Sequence, residues 1–172
     1  MMSPLPERTE PIFLVSPLSR NSRALPGFPV AISQNMDAWL KTHAAWIGPL
    51  ENAIASTGGD NYRLARRRDR VQLMVRAIRE GFRVLRALDV PITPRRIEVF
   101  FDRIPEPILV TLMQLWFASK KADVFMAGHT RAAPDEAKQI AQEFRALSQQ
   151  TSIKTTAIDE LARYIPETAV AS

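Results

Sequence analysis

Between Asn61 and Leu88 the chain runs without a proline, and apolar residues recur at helical spacing, three, four or, from Leu64 to Val71, seven positions apart, at Leu64, Val71, Val75, Ile78, Phe82, Leu85 and Leu88. That spacing is the helical period, so the stretch is predicted to form one long amphipathic helix. A helix with such a stripe must bury it against other elements. The rest of the chain offers only more helices as partners, because no segment alternates apolar and polar residues as a half-buried strand would. No repeat of fixed period appears. The fold class is therefore all-α, with about six or seven helices.

The remaining boundaries follow from punctuation. Six of the thirteen prolines fall within residues 1–30, which denies that segment both helix and central strand. It is read as an extended or disordered leader, followed by a helical domain over 31–166 and a tail over 167–172. Ser33 is a plausible N-cap for a first helix reaching about Ser56, with Pro49 placed to kink it. Thr57-Gly58-Gly59-Asp60 supplies its stop. Pro91 and Pro94 break the chain before a short helix over Arg95–Phe101. Pro107 suits the first turn of a helix running to about Met126. Gly128–Ala133 reads as a loop, and Pro134 opens a helix to about Gln149. Thr156 and Asp159 resemble a capping box for a last helix, ended by Pro166.

Composition narrows the function classes. The chain has 172 residues, 46% hydrophobic and 24% charged, as expected of one globular domain. There is no cysteine, hence no disulfide framework and no thiolate site. Two histidines, His43 and His129, leave a His-based metal site or a serine triad only a sparse form, and no metal is expected. The net charge of +5, with nine arginines between Asn61 and Leu88, invites a nucleic-acid reading. That run holds few aromatics (Tyr62 and Phe82), no glycine-rich turn and no zinc-ligand spacing, so a charged helix face explains it with fewer assumptions. The most apolar run, Ile108–Phe117, is too short to span a bilayer and is followed by Lys120 and Lys121. No signal-peptide pattern opens the chain, which makes the cytoplasm the expected location. The six glycines have neither the spacing nor the preceding strand of a dinucleotide-binding fingerprint.

Two helices raise functional questions. On a wheel centred at Trp39, the residues Met36, His43, Trp46, Ile47, Leu50 and Ile54 share one stripe, expected to be buried. Lys41 lies nearly opposite, with Ala45, Gly48 and Asn52. It is either a solvated surface lysine or a lysine in a cleft whose walls are kept small. In the helix from Pro107, the residues Leu109, Leu112, Met113, Leu115, Trp116 and Phe117 spread around more than one stripe. Such a helix is covered on several sides, within its own domain or by another chain.

Trp39-Leu40-Lys41 followed by Pro49-Leu50 and Ala53 resembles the start of the C-terminal domain of the ketopantoate reductases (2-dehydropantoate 2-reductases). Gly27-Phe28-Pro29-Val30 resembles the segment leading into that helix. Glu80, Val84, Ala87, Leu88 and Pro91 resemble the pattern before the family's central turn, and Glu136 precedes Thr155 by the family's spacing. The resemblance covers about Ala24 to Ile165. It implies a helical domain of the 6-phosphogluconate dehydrogenase C-terminal-like fold, serving substrate binding and dimerisation. It implies hydride transfer from NADPH to a small 2-oxo acid, with Lys41 as the catalytic residue and Glu136 and Asn52 binding substrate. The family's Rossmann domain is not in this chain, so no cofactor is expected on the chain alone, and a separate Rossmann-domain chain is the implied partner. A homo-oligomer is expected as well. Ala45 stands where the family has a substrate-holding asparagine. The other readings are a catalytically silent helical module that binds a partner protein and a basic nucleic-acid-associated domain. Glu136 also suits the first turn of any helix, Trp39 and Trp46 suit a core, and Glu80 suits a pair with a neighbouring arginine.

Overall fold

The computed structural model describes residues 35–123 and 134–164, all within one unit, Ser33–Ser172, and among them every regular element is a helix. In chain order these are α1 (Met36–Ala55), α2 (Asn61–Arg66), α3 (Arg68–Ala87), α4 (Arg95–Arg103), α5 (Glu106–Phe117), α6 (Lys120–Ala122), α7 (Pro134–Ser148) and α8 (Thr156–Ala162). The leader, the Gly128–Ala133 loop, Ser33, Pro166 and the tail lie outside the described residues.

α3 is the centre. Val71, Met74, Val75, Ile78, Phe82 and Leu85 are buried along it, which is the stripe expected from the sequence. It packs against α1, α5 and α8, while α1 also meets α7 and α8, and α2 meets α5. The α1–α3 crossing is close: a Cβ on Gly81 would stand 2.9 Å from the Ala45 carbonyl oxygen. Glycine and alanine face each other there because nothing larger fits.

The helix ends follow local chemistry. After α1, the Gly59 N–H donates to the Ile54 carbonyl and the Gly58 N–H to that of Ala55, with Gly58 at φ 74°. This is the Schellman arrangement, and its left-handed position favours glycine. α3 ends the same way, Val90 N–H on Leu85 and Asp89 N–H on Arg86, but with Asp89 at φ 53°. Pro107 stands in the first turn of α5, as expected.

Several expectations are corrected. The Asn61–Leu88 stretch is two helices, broken at Arg67. Its apolar stripe has a gap between Leu64 and Val71. α2 turns to α5 instead, where Asn61 Nδ2 donates to the Phe117 carbonyl at 2.7 Å and Gln114 Nε2 to that of Ala65 at 2.8 Å. Arg67 folds its guanidinium onto Asp69 in the first turn of α3. α5 stops at Phe117, well short of Met126, and the Ser119 hydroxyl caps the short α6. α1 is capped by Asn35 and not by Ser33: the Asn35 side chain accepts from Ala38 N–H, and Pro49 lies inside the helix.

The buried face of α1 also differs from the expected stripe. Ile47, Leu50 and Ile54 are buried, but Met36 is 56% and Trp39 37% exposed. The small side, Ala38, Thr42, Ala45, Gly48 and Asn52, is interior. The crossing with Gly81 and the contact of Gly48 with Ile140 of α7 explain this: the small residues admit neighbouring helices. Thr42 completes that face by donating to the Ala38 carbonyl and accepting from Thr93 N–H.

Candidate functional site

The residues singled out from the sequence do not converge among the described residues. Lys41 Nζ stands 2.7 Å from the Asp37 carboxylate, one turn back on a partly exposed face of α1. Asn52 is buried and lines a small cavity of about 30 Å³, large enough for ordered water, between α1, α7 and α8. Lys41 is not among the residues lining it. The side chain of Glu136 and all of His129 lie outside the described residues. Trp39 stacks on His43 with ring centroids 4.9 Å apart, and His43 meets the edge of Trp46 at 6.0 Å. This aromatic row sits at the rim of the core. Glu80 is interior, as a structural residue would be, but its main work is remote. Its Oε2 accepts from the N–H groups of Ala157 and Ile158, at 2.9 and 3.1 Å, and so caps α8 from a different helix. Arg83 approaches its other oxygen at 3.9 Å. Thr155, the residue at the N-cap of α8, makes no such cap and bonds Asp159 instead.

The feature that does converge is built on α5. Its inner face carries Leu109, Val110, Met113 and Phe117, all buried against the core. Its outer face carries Ile108, Leu112 and Leu115, which are 54%, 42% and 67% exposed. Four- and three-residue spacing places these three in one row along the helix. A depression flanks the row on each side. One, of about 430 Å³, lies between α1, α4 and α5 and is walled by Trp46, Leu50, Ile97, Phe100, Phe101, Met113 and Trp116, with Arg96 and Leu112 at its border. The other, of about 380 Å³, lies against α2 and is bordered by Tyr62, Ala65, Arg66, Thr111, Gln114 and Leu115. Soluble chains seldom leave a contiguous apolar surface of this kind bare.

The sequence pointed to the doubled face of α5 but not to α4. The signal was there: Ile97, Phe100 and Phe101 recur at three- and four-residue spacing in RRIEVFFDR, as on one side of a helix. Phe101 turns inward and meets Phe82 edge-on, leaving Phe100 half on the surface.

The charges around this face are unevenly matched. Arg76 and Arg79 reach Glu106, the first residue of α5, and Arg86 reaches Glu98 and Asp102 on α4. Arg79 also donates to the carbonyls of Phe101 and Ile104 at the end of α4. The hydrogen bond from Arg76 holds the Glu106 carboxyl below its usual pKa, against the opposing effect of its partial burial and with help from Gln72. The basic face of α3 is thus largely engaged within the domain. Arg66 and Arg96, one beside each depression, make no ion pair among the described residues, and no carboxylate lines either depression.

Among the described residues no group of three or more histidine, cysteine, aspartate or glutamate side chains is placed to hold a metal ion. Among the same residues no helix is long and apolar enough to cross a membrane. The outer face of α5 offers shape and apolar area rather than paired acid and base groups. No family model, no curated protein and no solved structure matches this chain.

Proposed function

We propose that this chain is a helical binding module that docks an amphipathic helix of another protein across the outer face of α5. The observation that carries the reading is the row Ile108, Leu112 and Leu115, left exposed on a helix whose other face is already buried and flanked by two depressions. A ridge between two grooves is the surface against which a second helix packs. Helix-in-groove binding uses apolar anchors at the same spacing. The test is a titration of the isotope-labelled chain with a helical peptide of about fifteen residues bearing leucines at i, i+4 and i+7. Chemical-shift changes gathered on Ile108, Leu112, Leu115 and Trp116 are expected. Changes confined to other helices, or none at millimolar peptide, would sink the reading.

A second reading follows from the resemblance. The chain would be the substrate and dimerisation domain of a ketopantoate-reductase-like enzyme of the 6-phosphogluconate dehydrogenase C-terminal-like fold, acting in the cytoplasm as a homo-oligomer. A separate Rossmann-domain chain would bring NADPH, Lys41 would donate the proton to the reduced 2-oxo acid, and Glu136 and Asn52 would hold the substrate. The observation on its side is that Lys41 keeps a partly exposed ammonium on α1, oriented by Asp37. With a nucleotide-binding chain supplied, NADPH oxidation by a 2-oxo acid should fall about a hundredfold in Lys41→Ala, the usual scale for losing a general acid. An unchanged rate would remove the lysine from the chemistry.

A further inference from the structure

Resting on the docking reading, we infer that the helix accepted by α5 is acidic at its flanks, with carboxylates that pair to Arg66 and Arg96 on either side of the apolar row. Between Asn61 and Leu88, Arg63, Arg67, Arg70, Arg76, Arg79, Arg83 and Arg86 each have a carboxylate within ion-pair distance, and Arg68 donates instead to the Thr111 hydroxyl and the Gln114 amide oxygen of α5. Arg66 and Arg96 are exposed and have no such carboxylate among the described residues, and each borders one of the two depressions. They stand across α5 from one another, so a helix lying along the row would have one arginine near each edge.

The row from Ile108 to Leu115 is about 10 Å long at roughly 1.5 Å per residue. A partner of about three turns covers it, with apolar side chains in the depressions and acidic ones outside them. An arginine at the rim of an apolar contact adds orientation and association rate, and it favours a bidentate carboxylate. A second copy of this chain fits less well, because an isologous contact brings the same arginine-flanked face against itself. A nucleic acid fits less well too. Phosphate tracking needs a run of basic donors, whereas here the depression beside α4 has apolar walls and the single Arg96, and in the one beside α2 only Arg66 is without a partner among the described residues, since Arg68 is engaged by Thr111 and Gln114.

The experiment is calorimetric titration of the full chain with two capped fifteen-residue peptides. They share leucines at i, i+4 and i+7 and differ only in carrying glutamate or lysine at the flanking positions. At low salt the glutamate peptide should bind at least about tenfold more tightly. The gap should close in an R66Q/R96Q double variant, which loses no ion pair among the described residues and should melt like the parent, and at about 1 M salt, where the screening length is near 3 Å. Equal affinity of the two peptides would overturn the charge assignment and leave the docking reading standing. No binding by either would overturn both. Tighter binding of a single-stranded oligonucleotide, or a stable dimer through Leu115 that neither peptide displaces, would replace the acidic helix with that other occupant.

Discussion

α3 and α5 pack against each other and treat their second faces in opposite ways. α3 buries Val75, Ile78, Phe82 and Leu85 on one side and engages most of its other side with arginines tied to Glu106, Glu98, Asp102 and the end of α4. α5 buries Leu109, Met113 and Phe117 on one side and leaves Ile108, Leu112 and Leu115 on the other. A polar outer face that is bonded within the domain asks for nothing more. An apolar outer face that is not covered asks for a partner. Among the described residues α3 is thus closed on both faces by the domain itself, whereas the outer side of α5 stays open, which is what the docking proposal rests on.

The strongest way to break the comparison is at the core of α3. Phe82 is fully buried and meets Phe101 edge-on. Phe82→Ala should cost about 3–5 kcal/mol of unfolding free energy, from lost burial and the cavity left behind. Denaturant melts would measure it, and a loss under about 1 kcal/mol would show that α3 is not the centre. Next is Glu80, which caps α8 from α3. Glu80→Ala leaves the N–H groups of Ala157 and Ile158 without that acceptor and should cost about 1–3 kcal/mol. Hydrogen exchange should show α8 opening first. Uniform loosening of all helices would mean that the cap is not local.

A smaller effect, of opposite sign, is expected at the end of α3. Asp89 holds a left-handed backbone at φ 53° where a Schellman ending favours glycine. Asp89→Gly should stabilise the chain by about 0.5–1 kcal/mol, and a loss in thermal melts would contradict that assignment. Smaller still is the acid response of the seam between the two helices. Glu106 has a folded-state pKa below its ordinary 4.5, set first by the hydrogen bond from Arg76. Its contribution is therefore present above pH 4.5 and fades as pH falls through the lower folded value. The stability gap between the parent and Glu106→Gln should narrow as pH drops from 6 to below about 4. A gap that widens on acidification would reverse the sign.

The amino-acid pattern carried the helical class, the stripe of α3, the Gly58-Gly59 stop and the start of α5, because each depends on neighbours within a few residues. It also carried the doubled face of α5. It did not carry the break at Arg67, since no proline or glycine marks it and the cause is the distant contact of α2 with α5. Nor did it carry the orientation of α1. Wheel geometry favours the tryptophans as the inner face, but the crossing at Ala45 and Gly81 turns the small side inward. The remote cap by Glu80 has no local trace either, because Ala157 is far away in sequence. For the site, Lys41 and Asn52 share a face of α1 that packing divides between surface and interior. The apolar depression was missed where α4 contributes to it, because a nine-residue helix gives a weak pattern.

The claim that α3 completes the fold while the outer face of α5 is kept for recognition meets its most direct test in a double variant, Leu112→Lys with Leu115→Lys. Both side chains are exposed, so unfolding free energy should stay within about 0.5 kcal/mol of the parent, measured by denaturant melts. In the same preparation the calorimetric signal with the glutamate-flanked helical peptide should vanish. A variant that unfolds, or one that stays folded and binds the peptide as the parent does, would contradict the claim.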